Sequence, residues 1–89
     1  MIRTEVTITN EYGLESKAAA VFIQKASRYS SSIWLEKDDK KVNAKSLLGL
    51  LSLGLSGNTK VWLVIEGEDE KIASKELVDF VSAGFEERN

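Results

Sequence analysis

Apolar residues change period along this chain, and the changes fix the order of its elements. Ile2, Thr4, Val6 and Ile8 alternate with Arg3, Glu5 and Thr7, the two-residue period of a strand with one covered face. Asn10-Glu11-Tyr12-Gly13 then reads as a turn. Over residues 16–27 the period becomes helical, with Ala19, Phe22, Ile23 and Ala26 three or four apart. Ser16 is placed to cap that helix. Ile33 and Leu35 alternate with Trp34 and Glu36, and Asp38-Asp39 turns the chain into a short return strand at Val42. Residues 46–53 read as a short helix with Ser46 as cap and Gly54 as stop. Beyond a Gly57-Asn58 turn, Val61, Leu63 and Ile65 share one face of a strand over residues 60–66. Asp69 is placed to cap a last helix to about residue 83, with Ala73, Leu77, Phe80 and Val81 inward and Gly84 closing it.

The order is therefore β-α-β-β-α-β-α. Helices on one face of a four-stranded antiparallel sheet satisfy it, an α+β open-faced sandwich of two layers. The 89 residues make one expected domain, 1–89. A chain of that size buries roughly 60–65% of its unfolded surface, enough for a modest core.

Composition narrows the chemistry. The chain has no histidine and no cysteine, so an imidazole nucleophile, a histidine general base, a disulfide and a thiolate metal site are all excluded. No paired acid/base carboxylates, phosphate loop or metal cluster stands out. Neither an enzyme nor a bound cofactor is expected. Twelve basic and fourteen acidic residues give a net charge of −2, and they are mixed, without the concentrated basic face of a nucleic-acid binder. Even the lysines of residues 37–41 are interrupted by Asp38 and Asp39. No basic-then-apolar leader opens the sequence, and no apolar run nears the roughly 18–20 residues of a membrane span. A cytoplasmic protein is the expectation.

The short helix carries the most information. Leu47, Leu48 and Leu51 fall on one arc of about 100°, while Leu50 and Leu53 lie on another. A two-layer domain covers one side of a short surface helix, so one arc is left as a docking patch. The plainer alternative makes both arcs core. Ser46, next to Lys45 at the helix start, has two readings as well. It is a simple cap, or it is a phosphorylation site. Free N–H groups and the helix dipole favour an anion there, and phosphate adds about −1.5 to −2 charges.

The stretch Lys41-Val42-Asn43-Ala44-Lys45-Ser46-Leu47-Leu48-Gly49-Leu50-Leu51-Ser52-Leu53 closely resembles the seryl-phosphorylation segment of the HPr-like phosphocarrier family of the sugar phosphotransferase system. It resembles equally that of the family's regulatory Crh type, which lacks the active-site histidine. The likeness runs nearly end to end. Gly13-Leu14-Glu15-Ser16-Lys17-Ala18-Ala19 sits where the family carries its active-site loop, Gly-[Ile/Leu]-His-Ala-Arg-Pro-Ala. Phe22-Ile23-Gln24, Leu35-Glu36-Lys37 and Glu66-Gly67-Glu68-Asp69-Glu70 look like further family positions.

The departures change what the resemblance implies. Glu15 occupies the phosphohistidine position, Lys17 replaces the supporting arginine and lacks its planar fork, and Ala18 replaces the proline. By resemblance, the chain is a regulator of carbon catabolite repression without histidine phosphorelay. HPr kinase/phosphorylase modifies Ser46. The phosphoprotein then serves as corepressor of a LacI-type catabolite control protein, which holds the DNA. Leu47, Leu48 and Leu51 dock in the partner's groove with Lys45 beside them, and Lys17, Ala20 and Gln24 border the same surface. Two alternatives stay open: a phosphocarrier using Glu15 through an acyl phosphate, and a scaffold that binds metabolic enzymes without phosphorylation. Glu15 also has a plain reading, a carboxylate stabilised by a helix start by about 0.3–1 kcal/mol, or it stands as a fixed negative charge in the loop. Trp34 and Trp62 should share the sheet face opposite the helices and pair across neighbouring strands, with a homodimer contact as the alternative use of that face.

Overall fold

A computed structural model describes residues 1–10 and 13–86. Seven elements follow the expected order: β1 (Ile2–Ile8), α1 (Ser16–Ala26), β2 (Ser32–Lys37), β3 (Lys40–Asn43), α2 (Leu47–Ser52), β4 (Thr59–Glu66) and α3 (Glu70–Ser82). The strands form one antiparallel sheet in the order β1-β4-β2-β3. Register opposes Val6 to Val61, Thr4 to Leu63 and Leu35 to Leu63, so the alternating apolar residues of neighbouring strands meet on one face. Phe22, Ile33, Leu35, Leu50, Leu63, Ile65, Leu77 and Val81 fill the layer between that face and the helices. Helix α3 lies over β1 and β4, and α2 sits between β3 and α1. Phe85 closes the layer, edge-on to both Phe22 and Phe80 at 6.0 Å between centroids.

Both helix ends read from glycine hold. Gly84 ends α3 with its N–H on the Val81 carbonyl, and the Phe85 N–H returns to Phe80, the paired closure of a Schellman motif. Asp38 and Asn58 turn the chain in left-handed backbone, which Asp and Asn tolerate better than most residues. The turn after β1 closes with Gly13 N–H on the Asn10 carbonyl at 3.1 Å. Its central residues, Glu11 and Tyr12, lie outside the described residues.

Three local expectations are corrected. Ser16 is the first residue of α1 and not its cap. The carbonyl of Glu15 accepts the first helical bond, from Ala19 at 2.8 Å, so Glu15 is the cap residue, and its side chain makes no capping bond. The boundary moves because the preceding loop is fixed from outside the helix, by Leu14 N–H on the Leu55 carbonyl at 3.0 Å. Asp69 stands at the cap position of α3 but does not cap with its side chain. Its carboxylate reaches across to accept the Ser30 N–H at 2.8 Å, the Ser31 N–H at 3.0 Å and the Ser31 hydroxyl. The tryptophans share the open face, but register opposes Trp34 to Val64 and Trp62 to Glu36. Each indole is covered by a cation instead: Arg3 lies 3.8 Å over Trp62 while bonding Glu36 at 2.7 Å, and Lys41 lies 4.6 Å over Trp34.

Gly13 and Gly54 both adopt left-handed backbone, at φ of 70° and 59°. A Cβ on Gly13 would fall 2.3 Å from the Leu55 carbonyl oxygen, whereas one on Gly54 would meet nothing within 4 Å. Gly13→Ala should therefore cost more than about 2 kcal/mol, and Gly54→Ala only about 1 kcal/mol, measured by urea denaturation. The hydrogen bonds from Ser31 and Ser30 hold the Asp69 carboxyl below its ordinary range. A depressed carboxylate stabilises the fold above its unfolded-state pKa, and that contribution fades as pH falls through the folded value. Urea midpoints should drop below the usual carboxylate range, and Asp69→Asn should flatten that part of the profile.

Candidate functional site

The site is built around the β3–α2 connection. The Asn43 carbonyl accepts the Ser46 N–H at 3.1 Å, and Asn43 Oδ1 accepts the Lys45 N–H at 2.9 Å. This Asx turn delivers the chain from β3 into α2. Ala44, fully buried, continues the ladder with its N–H on the Ile33 carbonyl at 2.9 Å. Ser46 follows with extended backbone, and its Oγ accepts the Gly49 N–H at 3.2 Å, so it caps the helix as its position predicts. At the other end, Lys40 Nζ donates to the Ser52 carbonyl at 2.8 Å, a cation on the helix's negative pole.

The two leucine arcs separate. Leu50 is fully buried and Leu53 half-buried. Leu47, Leu48 and Leu51 are 45%, 80% and 37% exposed. Fully covering a leucine is worth about 1.5–3 kcal/mol, so an exposed trio is a standing source of free energy for association. Helix α1 lies alongside α2, and Lys17, Ala20 and Gln24 are exposed on it. Ser46 and Lys45 are half-buried. The Lys45 ammonium donates to the carbonyls of Tyr29 and Ser31.

Glu15 is exposed at the start of α1. It lines a shallow open depression with Asn10, Lys17, Val21 and Phe85. The first turn of α1 beyond this cap holds no acidic residue. Among the described residues no group of His, Cys, Asp and Glu could hold a metal ion, and no helix is long and apolar enough to cross a membrane.

Two residues of the site escaped sequence reading. Gly49 leaves the space beside the serine: a Cβ there would sit 3.4 Å from Ser46 Oγ and 3.3 Å from the Asn43 carbonyl oxygen. Asn43 supports the turn through both its oxygens. The available signals were the three-residue spacing from Ser46 to Gly49 and the habit of Asn to bond the N–H two residues on.

The family model described as the PTS HPr component phosphorylation site matches residues 2–83. The HPr-like protein Crh of Bacillus subtilis is 46% identical over 81 residues, which cover 91% of this chain and 95% of that protein. Among solved structures, HPr-C-His from Thermoanaerobacter tengcongensis superposes with a TM-score of 0.92 at 48% identity and full coverage of both chains. Selenomethionyl Crh of Bacillus subtilis, described as an intertwined, domain-swapped dimer, gives a TM-score of 0.77 at 42% identity over 98% of this chain and 100% of that one.

The arcs should separate in stability as they do in exposure. Leu50→Ala should cost about 2–5 kcal/mol, while Leu48→Ser should stay within about 0.5 kcal/mol of the parent chain, both read by urea denaturation.

Proposed function

The chain belongs to the PTS HPr family, and we propose that it is a regulatory, Crh-type member switched by phosphorylation of Ser46. The observation that carries this reading is an exposed leucine trio set directly after a capping serine, in a chain with no histidine to carry a relayed phosphate. HPr kinase/phosphorylase transfers the γ-phosphoryl group of ATP to Ser46 Oγ, so that the Oγ–P bond forms as the phosphoanhydride breaks and ADP and the hydroxyl proton leave. The helix receives the phosphate without rearrangement, since first-turn N–H groups lack intrahelical acceptors and no acidic side chain already occupies that turn. About −1.5 to −2 charges are added beside Leu47.

The modified surface then acts as corepressor in carbon catabolite repression. Cationic side chains of a LacI-type catabolite control protein meet the phosphate through charge-assisted hydrogen bonds. Leu47, Leu48 and Leu51 enter an apolar groove of that protein, and Lys17, Ala20 and Gln24 form the rim. The partner holds the DNA, and the chain acts in the cytoplasm. Glu15 accepts no phosphate in this scheme. Its carboxylate, one charge at the loop where the family's phosphocarriers have an imidazole, keeps the donor enzyme's anionic phosphohistidine away by like-charge repulsion.

Treatment with HPr kinase/phosphorylase and ATP, followed by mass spectrometry, should place one phosphate on the peptide containing Ser46. Ser46→Ala should take none and should lose kinase-dependent binding to the LacI-type protein. Leu47→Asp should weaken that binding at least tenfold, about 1.4 kcal/mol, with the urea midpoint kept. Phosphate on another residue, or undiminished binding by the Ser46→Ala chain, would remove the mechanism.

A further inference from the structure

The ammonium of Lys45 is committed to backbone oxygens before Ser46 is modified. Its Nζ donates to the Tyr29 carbonyl at 2.7 Å and to the Ser31 carbonyl at 2.9 Å. Both carbonyls lie in the segment that joins α1 to β2. They offer a firm anchor, because Asp69 grips the N–H groups of Ser30 and Ser31 in the same segment. The Lys45 main chain is fixed too, by its N–H on Asn43 Oδ1. Ser46 follows that turn with its own hydroxyl engaged by the helix it caps. The Lys45 side chain runs toward the α1–β2 segment, while Ser46 Oγ faces the Gly49 N–H.

From this geometry we propose that Lys45 is a positioning residue, which staples the start of α2 to the end of α1 and leaves a phosphate on Ser46 unneutralised. The two helices that carry the docking residues are thereby held as one preassembled surface, which lowers the ordering cost of association. The phosphate keeps its whole charge for the partner's cations. That second consequence rests on the Ser46 reading; the staple does not.

Lys45→Met keeps the hydrocarbon stem and removes the ammonium. In the unmodified chain, hydrogen exchange at the Ala44 and Leu50 amides, bonded to Ile33 and Ser46 carbonyls, should quicken about tenfold or more, the worth of a charge-assisted pair. Amides of the central strand β4 should keep their rates. A second arm uses chains synthesised with phosphoserine at position 46. There the phosphate's second pKa, read by phosphorus NMR, should be the same in the parent chain and in the Lys45→Met variant. Unchanged exchange at Ala44 and Leu50 would overturn the staple. A phosphate pKa raised by Lys45→Met would show the ammonium paired with the phosphate and overturn the unneutralised charge. Neither arm uses the kinase or the regulator, so a failure of the Ser46 reading would leave both results standing.

Discussion

The segment between α1 and β2 is where the rest of the molecule is tied together. The last carbonyls of α1 take its N–H groups as far as Tyr29, and side chains from elsewhere satisfy the backbone groups that follow. Asp69 takes the N–H groups of Ser30 and Ser31, and Lys45 takes the carbonyls of Tyr29 and Ser31. The Tyr29 hydroxyl donates to Glu76 of α3. Gly67, just before α3, is pressed so close that a Cβ there would lie 2.7 Å from Ser31 Cα. The entries of α2 and α3 therefore hang from one short stretch of chain, and the sheet contributes its register to both through β2.

Periodicity made the elements legible because burial on one face is a property of each segment alone. Ile2–Ile8 alternates, Ala19, Phe22 and Ala26 repeat at helical spacing, and the structure buries Val6 and Ile8 of the strand and all three of the helix. The two leucine arcs were separable for the same reason. What the pattern could not reveal were choices made between segments. Whether Ser16 or Glu15 caps α1 depends on Leu55 across the fold. Asp69 looks like a cap in sequence, yet its carboxylate is claimed by serines 38 and 39 positions away. Alternation puts both tryptophans on the open face, but their partners depend on the register of β2 against β4. Lys45 reads as a charge beside a serine until the Tyr29 and Ser31 carbonyls come into view.

The loop that leads into α1 takes its shape from backbone contacts and not from the side chain it displays. Gly13 keeps its left-handed turn and its tight approach to Leu55 and Ser56, a geometry that holds the next residues at the helix start. The side chain presented there is a carboxylate, exposed and without a capping bond. The constraint lies in the backbone, so the residue it displays is free to change. The capping site at α2 is different, because the Ser46 hydroxyl is itself a working part of the turn.

Both indoles stand on the open side of the sheet, beneath Arg3 and Lys41, with the sheet and the core between them and the leucines of α2. Intrinsic emission will accordingly register loss of the sheet and remain silent when something settles on the helical side. An optical assay of association needs its dye placed on the helices.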